Sequence, residues 1–298
     1  MNTDQEREDG QKPLAPGLYL VATPIGNLED ITLRALRVLR SVDKIACEDT
    51  RQTQKLLNHY DIRTPTVSYH MHNEAARATE LAVQLKAGAR IAIVSDAGTP
   101  GIADPGGQIA AAAIAAGVPV FPVPGANAAI SALIASGLAG GSFTFQGFLP
   151  AKEGQRRTAL EALRTRGIES QGTLIFYEAP HRILDTLSDV ESIFGSAQHV
   201  VVAREITKLH EEFLRGAVSE IRTKLAGRTT VRGEIVLLFA PTAAESTTEN
   251  RTVSIAKEVR ELIKKESLTE KDALKQVARA RGIGKSEAYR ELQRERSK

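Results

Sequence analysis

Four short segments gather glycine, proline and polar residues directly after apolar, β-branched runs, the place where open α/β sheets bind ligands. The richest is Ser95-Asp96-Ala97-Gly98-Thr99-Pro100-Gly101-Ile102-Ala103-Asp104-Pro105-Gly106-Gly107. Ordering four glycines in one loop costs conformational entropy that a plain connection does not demand, so this reads as a ligand loop. Asp96, at the strand end, can accept a hydrogen bond or neutralise a cation. Asp104-Pro105 opens the next helix, with proline at its favoured first position. In Thr23-Pro24-Ile25-Gly26-Asn27-Leu28 the proline fixes the backbone and Gly26 permits close approach to a ligand, although a simple β–α turn would look the same. Asp30 or Thr32 can cap the helix that follows. In Pro122-Val123-Pro124-Gly125-Ala126-Asn127-Ala128, small residues open a helix and leave backbone N–H groups free for a ligand or for close strand–helix packing. In Phe176-Tyr177-Glu178-Ala179-Pro180-His181-Arg182 the aromatic pair could wall an adenine and Arg182 could hold a phosphate. Equally, Phe176 could be core and Arg182 the decoration of a helix.

Other chemistries lack their motifs. No GxxxxGK[ST] occurs, and no GxGxxG follows a strand. His70 and His72 share a segment without a carboxylate at metalloprotease spacing, which reads as a surface or substrate-side pair and not a metal site. Cys47 is the single cysteine, so neither an intrachain disulfide nor a cysteine-cluster metal site can form.

The elements that must position these loops follow from periodicity. Strands are expected at 17–23, 44–47, 67–69, 90–95 and 119–123, and helices at 31–41, 50–60, 74–86, 104–116 and 126–136. This alternation predicts a mostly parallel sheet covered by helices, and the unbroken apolar run Ile91–Val94 suits a strand buried on both faces. The helix-poor stretch around Gly147, Pro150 and Gly154 marks a boundary. Beyond it come a basic helix at 156–166, strands at 173–177, 199–204, 211–214 and 234–239, and helices at 181–194 and 219–225, which predicts a mixed second sheet. Polar residues 241–251 read as a linker. Helices then follow at 253–265, 270–281 and 285–295, with Thr269 and Ser286 as caps and a glycine turn at 281–284. The last two resemble either a helix-turn-helix or a plain hairpin. The expected division is a frayed tail (1–16), an N-terminal α/β domain (17–147), a second α/β domain (148–240), the linker (241–251) and a basic helical domain (252–298).

Charge supports that division. Residues 251–298 hold 14 of the 39 Lys and Arg but 8 of the 36 Asp and Glu, a local net of +6 in a chain of net +3. A basic appendage on a slightly acidic body suits a polyanionic partner, or a solvated helical face. No apolar run approaches the ~20 residues that span a bilayer, and the polar first residues lack a secretory core, so no membrane partner is expected.

Taken together, TPIGNLEDIT, CEDTRQT, SDAGTPGIADPG, PVPGANA, GFLP, FYEAPHR and AREITKLHEEFLRG occur in one order across residues 18–240. This order resembles the ribosomal RNA small-subunit methyltransferase I family of the tetrapyrrole-methylase superfamily. The TPIGNL loop differs from the GxGPGD typical of the tetrapyrrole branch. The resemblance implies a two-domain α/β tetrapyrrole-methylase fold with S-adenosylmethionine in the cleft between the domains. It places Pro24 and Gly26 on the first cofactor-side loop, and Ser95, Asp96, Ala97, Gly98 and Thr99 on the second. Asn127 and Ala128 match a loop where relatives carry Ser-Ala or Thr-Ala. Tyr177 or Glu178, with Gly216, match positions that pack on the cofactor, and Arg232-Gly233-Glu234 replaces a common Lys-Gly-Glu. The implied reaction moves the sulfonium methyl to a cytidine ribose 2′-oxygen of small-subunit ribosomal RNA, free or in the assembled subunit, by a cytoplasmic homodimer without a metal. A 2′-hydroxyl is a poor nucleophile at neutral pH, so a base or cation should help. Glu48, Lys208 and Glu212, with Asp49, are the candidates, unless with Arg51 and Arg204 they form ion pairs that orient RNA. A tetrapyrrole substrate, or an RNA-binding factor without catalysis, are the competing readings. Activity on a porphyrinoid, or no cofactor binding, would favour them respectively.

Overall fold

The structure is a computed structural model that describes residues 13–70, 74–166, 172–240, 255–266, 268–280 and 284–296. Residues 1–12, His72, the linker expected at 241–251 and the turn residues 281–283 lie outside the described residues, as does the Ser286 side chain.

The first sheet has five strands: β1 (Gly17–Val21), β2 (Lys44–Cys47), β3 (Thr66–Ser68), β4 (Arg90–Val94) and β5 (Val120–Val123). They lie in the order β3-β2-β4-β1-β5, and every pair is parallel. Parallel strands need crossover helices, so both faces are covered and the strands are apolar throughout. Helices α1 (Leu33–Ser41) and α2 (Thr50–His59) cover Tyr19, Val21 and Ile45. Helices α3 (Glu74–Lys86) and α4 (Gly107–Ala115) cover Leu18, Ile91 and Ile93. Thr32 begins α1 by accepting the Ala35 N–H at 3.1 Å.

Helix α5 (Ala128–Ser136) follows β5 but packs elsewhere. Its Ala129, Ala132 and Leu133 join Ile175, Val201, Val236 and Leu238 of the second sheet, together with Ile25 from the loop after β1. That shared core locks the two sheets together. Each fully buried aliphatic side chain in it stabilises by about 1.5–3 kcal/mol.

The second sheet contains β6 (Phe143–Phe148), β7 (Thr173–Glu178), β8 (His199–Arg204), β9 (Glu212–Ala217) and β10 (Ile235–Phe239) in the order β6-β7-β10-β8-β9. Only β6 and β7 run parallel, so the sheet is mixed. Helices α6 (Glu153–Arg166), α7 (Ile183–Phe194) and α8 (Val218–Ala226) cover its far face through Leu160, Leu187, Val190 and Ile221.

Both sheets belong to one compact unit ending at Pro241, and residues from Thr242 onward form another. In the second unit α9 (Ile255–Glu266), α10 (Glu270–Ala280) and α11 (Lys285–Arg296) enclose Ile255, Val259, Leu274, Val277, Ala288 and Leu292. Thr269 accepts the Asp272 N–H at 3.2 Å and starts α10. The Glu295 carboxylate accepts the Ile255 and Ala256 N–H groups at 3.3 and 3.0 Å, so α11 caps α9.

Two expectations fail locally. Strand β6 starts at Phe143, ahead of the boundary read at 147. It is an edge strand whose pairing shifts between Phe145 and Gly147, so its apolar alternation is broken. Helix α4 begins at Gly107 and not at Asp104, because Gly106 takes φ +143°, outside any helix. The glycine-rich loop is therefore longer, and Asp104 belongs to it. No helix of the described residues is long and apolar enough to cross a membrane.

Candidate active site

The loops after β1, β4 and β5 are tied to one another at the carboxyl edge of the first sheet. Thr23 and Gly98 exchange backbone hydrogen bonds, 2.9 Å from the Thr23 N–H and 3.1 Å from the Gly98 N–H. The Thr23 hydroxyl donates to the Ser95 carbonyl at 3.2 Å. The buried Ser95 hydroxyl lies 3.2 Å from the carbonyls of both Ala97 and Gly98 and folds the loop onto itself. Thr99 donates to the Ala126 carbonyl at 3.1 Å and accepts from the Asn127 amide at 3.3 Å. Asn127 also accepts the Ile130 N–H at 3.0 Å as the N-cap of α5. Gly98 has φ +80°, a left-handed conformation in which a Cβ would also press on Ile25 at 3.2 Å.

The rest of the long loop is anchored from behind. The buried Glu74 carboxylate accepts the Gly106 N–H at 3.1 Å and the Tyr69 hydroxyl at 3.0 Å, and that hydroxyl accepts the Ile109 N–H at 3.2 Å. Burial, then the Glu74 carboxylate, push the Tyr69 phenol far above its ordinary range, so it stays a neutral donor.

Against these loops stands the second sheet, and between them lies a cavity of about 360 Å³, within the ~300–1,000 Å³ usual for small-ligand sites. The first sheet contributes Ile25, Ala97, Gly98, Thr99, Asp104 and Ala128, among others. The second contributes Phe148, Tyr177, Glu178, Ile206, Glu234 and Val236, among others. Small and aliphatic groups dominate. Asp104, Glu178 and Glu234 bring carboxylates, while no Lys, Arg or His lines the cavity among the described residues. Such a lining suits a ligand with an apolar body and a positive charge and disfavours a phosphate.

Neighbours on β7 face opposite ways. Phe176 is 1% exposed and packs on Phe239 in the core. Tyr177 faces the cavity, edge-on to Phe145 and Phe148 at 4.9 and 5.6 Å. The aromatic wall is therefore Tyr177 with Phe148, not Phe176 with Tyr177. Burial raises the Tyr177 phenol, and a hydrogen bond from the Ala129 backbone opposes this and ties β7 to the start of α5.

The Glu178 carboxylate is occupied. It accepts from Arg182 at 2.5 and 2.9 Å, from Thr186 at 2.7 Å and from the Ala179 N–H at 2.7 Å. Arg182 is thereby committed to a structural ion pair and not to a phosphate. Glu178 contributes wall and rigidity to the cavity.

Ala97, Gly98, Thr99, Ala128, Tyr177 and Glu178 thus line the cavity, and Pro24, Gly26, Ser95, Asp96 and Asn127 stand behind it. Asp96 accepts the Asp49 N–H at 3.1 Å and so ties the loop after β4 to that after β2. Gly216 belongs to edge strand β9, away from the cavity. Its φ of +151° and the Glu220 carboxylate, 2.9 Å from where a Cβ would stand, account for the glycine there.

The expected catalytic trio does not converge. Glu48, at the end of β2, lies outside the lining; burial, then Asp96 and Asp104, raise its carboxyl. Glu212 is gripped by Arg228 at 2.5 and 2.8 Å and by Arg204 at 3.1 Å. These guanidiniums, Arg228 foremost, hold its carboxyl down to about 2, which makes it a feeble base. Lys208 donates to Glu205 at 2.8 Å and Glu234 at 2.9 Å. Burial alone would lower its ammonium, but these two carboxylates outweigh it and hold it charged. Sequence reading missed Asp104, Phe148, Ile206 and Glu234 as cavity residues. The FLP of GFLP and the Arg-Gly-Glu before β10 were visible signals for two of them.

Comparison with known proteins adds independent evidence. Residues 17–222 match the family described as Tetrapyrrole (Corrin/Porphyrin) Methylases. A protein of Halalkalibacterium halodurans named Ribosomal RNA small subunit methyltransferase I is 49% identical, over 91% of this chain and 93% of that protein. One of the same name from Bacillus subtilis is 46% identical over 91% and 92%. The crystal structure of uroporphyrin-III C-methyl transferase from Thermus thermophilus, complexed with S-adenyl homocysteine, shares the fold. Its TM-score is 0.52 at 19% identity, covering 75% of this chain and 97% of that one.

Proposed function

We infer the chemistry from one premise: this chain belongs to the ribosomal RNA small subunit methyltransferase I family of tetrapyrrole methylases. It is an S-adenosylmethionine-dependent methyltransferase, and ribosomal RNA of the small subunit is its substrate. The finer reading proposed here is transfer to a cytidine ribose 2′-oxygen.

The observation that carries the reading is the cavity at the meeting edges of the two sheets, lined by carboxylates and no basic side chain. A sulfonium donor is a cation with an apolar body, so these residues fit it. Tyr177 and Phe148 would flank its base, while Gly98, Ala97, Thr99 and Ala128 would leave room along its backbone. When bound, the cofactor supplies a methyl group on a positively charged sulfur. The chain's part is to hold the nucleophile in line and to exclude water, and positioning of that kind supplies several kcal/mol. Ile25, Ile206 and Val236 make the walls apolar, which strengthens every charge inside. Lys208 and Glu212, already paired, position the rim.

The cytoplasmic homodimer implied by the resemblance belongs to this proposal. Ile130 and Ile134, four apart on α5, are both exposed and offer an apolar face for a second copy. Sedimentation velocity tests it, with a dimer mass expected. The reaction is tested by incubating the full chain with methyl-labelled cofactor and either free small-subunit RNA or assembled subunits, then digesting to nucleosides. The expected label is in 2′-O-methylcytidine. Label confined to a base, or none in RNA, would refute the reading.

A further inference from the structure

Of the three carboxylates that line the cavity, two are already neutralised. Glu178 is paired with Arg182 and Glu234 with Lys208. Asp104 takes part in no ion pair among the described residues. The charged groups that face it are the acids Asp96, on its own loop, and Glu48, at the end of β2; Tyr177 faces it from β7. Ser95 hydrogen-bonds to its carboxylate. The turn that carries it is rigid. Gly106, two residues on, is pinned by Glu74 at 3.1 Å, and a Cβ on Gly106 would stand 3.0 Å from the Gly101 nitrogen.

We propose that Asp104 is the general base of the methyl transfer, accepting the proton of the attacking ribose hydroxyl. This rests on the methyltransferase reading above. As the ribose oxygen bonds to the methyl carbon, the carbon–sulfur bond breaks and its electron pair stays on sulfur. The hydroxyl proton passes to the Asp104 carboxylate. One positive and one negative charge disappear together, so the products are a neutral thioether, a methyl ether and a carboxylic acid. An apolar cavity favours that cancellation. Burial, then the Asp96 carboxylate, hold the Asp104 carboxyl above its usual range, which strengthens it as a base.

The test compares wild type with Asp104→Asn in the full chain, by calorimetric titration of S-adenosylmethionine and by single-turnover methyl transfer to unmethylated small-subunit RNA and subunits. The expected variant binds the cofactor within about threefold of wild type and transfers methyl ~10²–10⁴-fold more slowly, the range of general-base catalysis. Its rate also lacks the wild-type decline at acid pH; Asp96, Glu48 and Tyr177 remain to titrate in both proteins. A variant rate within threefold of wild type, or a cofactor affinity that falls in step with the rate, would overturn the assignment. Should the asparagine variant not fold, Asp104→Ser is read by the same criteria. Failure of the wild type itself to methylate either substrate would instead sink the methyltransferase reading.

Discussion

The aliphatic stem of Lys208 occupies the space that a side chain on Gly26 would need. Its ammonium then bridges Glu205 and Glu234, so one lysine ties the loop after β1 to two segments flanking the second sheet. Gly26 has φ +147°, a conformation that side chains strain to adopt. Gly26→Ala should therefore cost about 1–3 kcal/mol from backbone strain, and more from the collision. Denaturant unfolding of Gly26→Ala, Lys208→Ala and the double variant measures this. The double variant should recover the collision energy only, leaving a coupling of ~0.5–3 kcal/mol. Strict additivity would mean that the two residues do not meet.

Tyr177 and Phe176 are neighbours in sequence with separate roles. Tyr177→Ala should weaken S-adenosylmethionine binding by about tenfold, equivalent to ~1.4 kcal/mol, with little loss of stability. Phe176→Ala should destabilise the fold by about 3–5 kcal/mol through a core cavity. Titration calorimetry and denaturant unfolding of the pair separate the two effects, and equal loss of stability in both variants would contradict the assignment.

Glu212 links stability to pH. Its carboxyl is lowered to about 2 by Arg228 and Arg204, against about 4.3 in an unfolded chain. A depressed carboxylate stabilises the fold above the unfolded value, and that contribution fades as pH falls toward the folded value. Glu212→Gln should thus cost on the order of 2–3 kcal/mol at pH 7. The gap to wild type should narrow steadily between pH 5 and pH 3, measured by denaturant unfolding. A pH-independent gap would show that the ion pair is not the cause.

The second unit presents Arg260, Lys264, Lys271, Lys275, Arg279 and Arg290 as exposed cations. Ending the chain at Pro241 should weaken RNA binding by about tenfold or more and flatten its salt dependence, since each lost phosphate contact releases fewer counterions. Cofactor affinity should stay within about twofold of the full chain, on the same principle that counterion release belongs to the polyanion alone. Parallel loss of both affinities would defeat the modular picture.

Much of this was legible in the residues. The run Ile91–Val94 announces a strand buried on both faces, and four glycines after it announce a loop that must meet something. Asn127 and Thr269 cap the helices that they precede. What escaped was decided by distant partners. Edge strand β6 hides because its pairing shifts at Gly147. Whether Glu212 or Lys208 was a base or an ion pair depended on Arg228, 16 residues on, and Glu234, 26 residues on. Asp104 read as the start of a helix because Asp-Pro is a common opening, whereas Gly106 delays that helix and leaves the carboxylate facing the cavity.

The most direct measurement is a crystal structure of the full chain with S-adenosylhomocysteine, the product of the transfer. The ligand is expected against Tyr177, Gly98 and Ala128, with its sulfur turned toward the side of the cavity that holds Asp104. Density for the ligand anywhere outside this cavity, or no binding at saturating concentration, would contradict the account at its root.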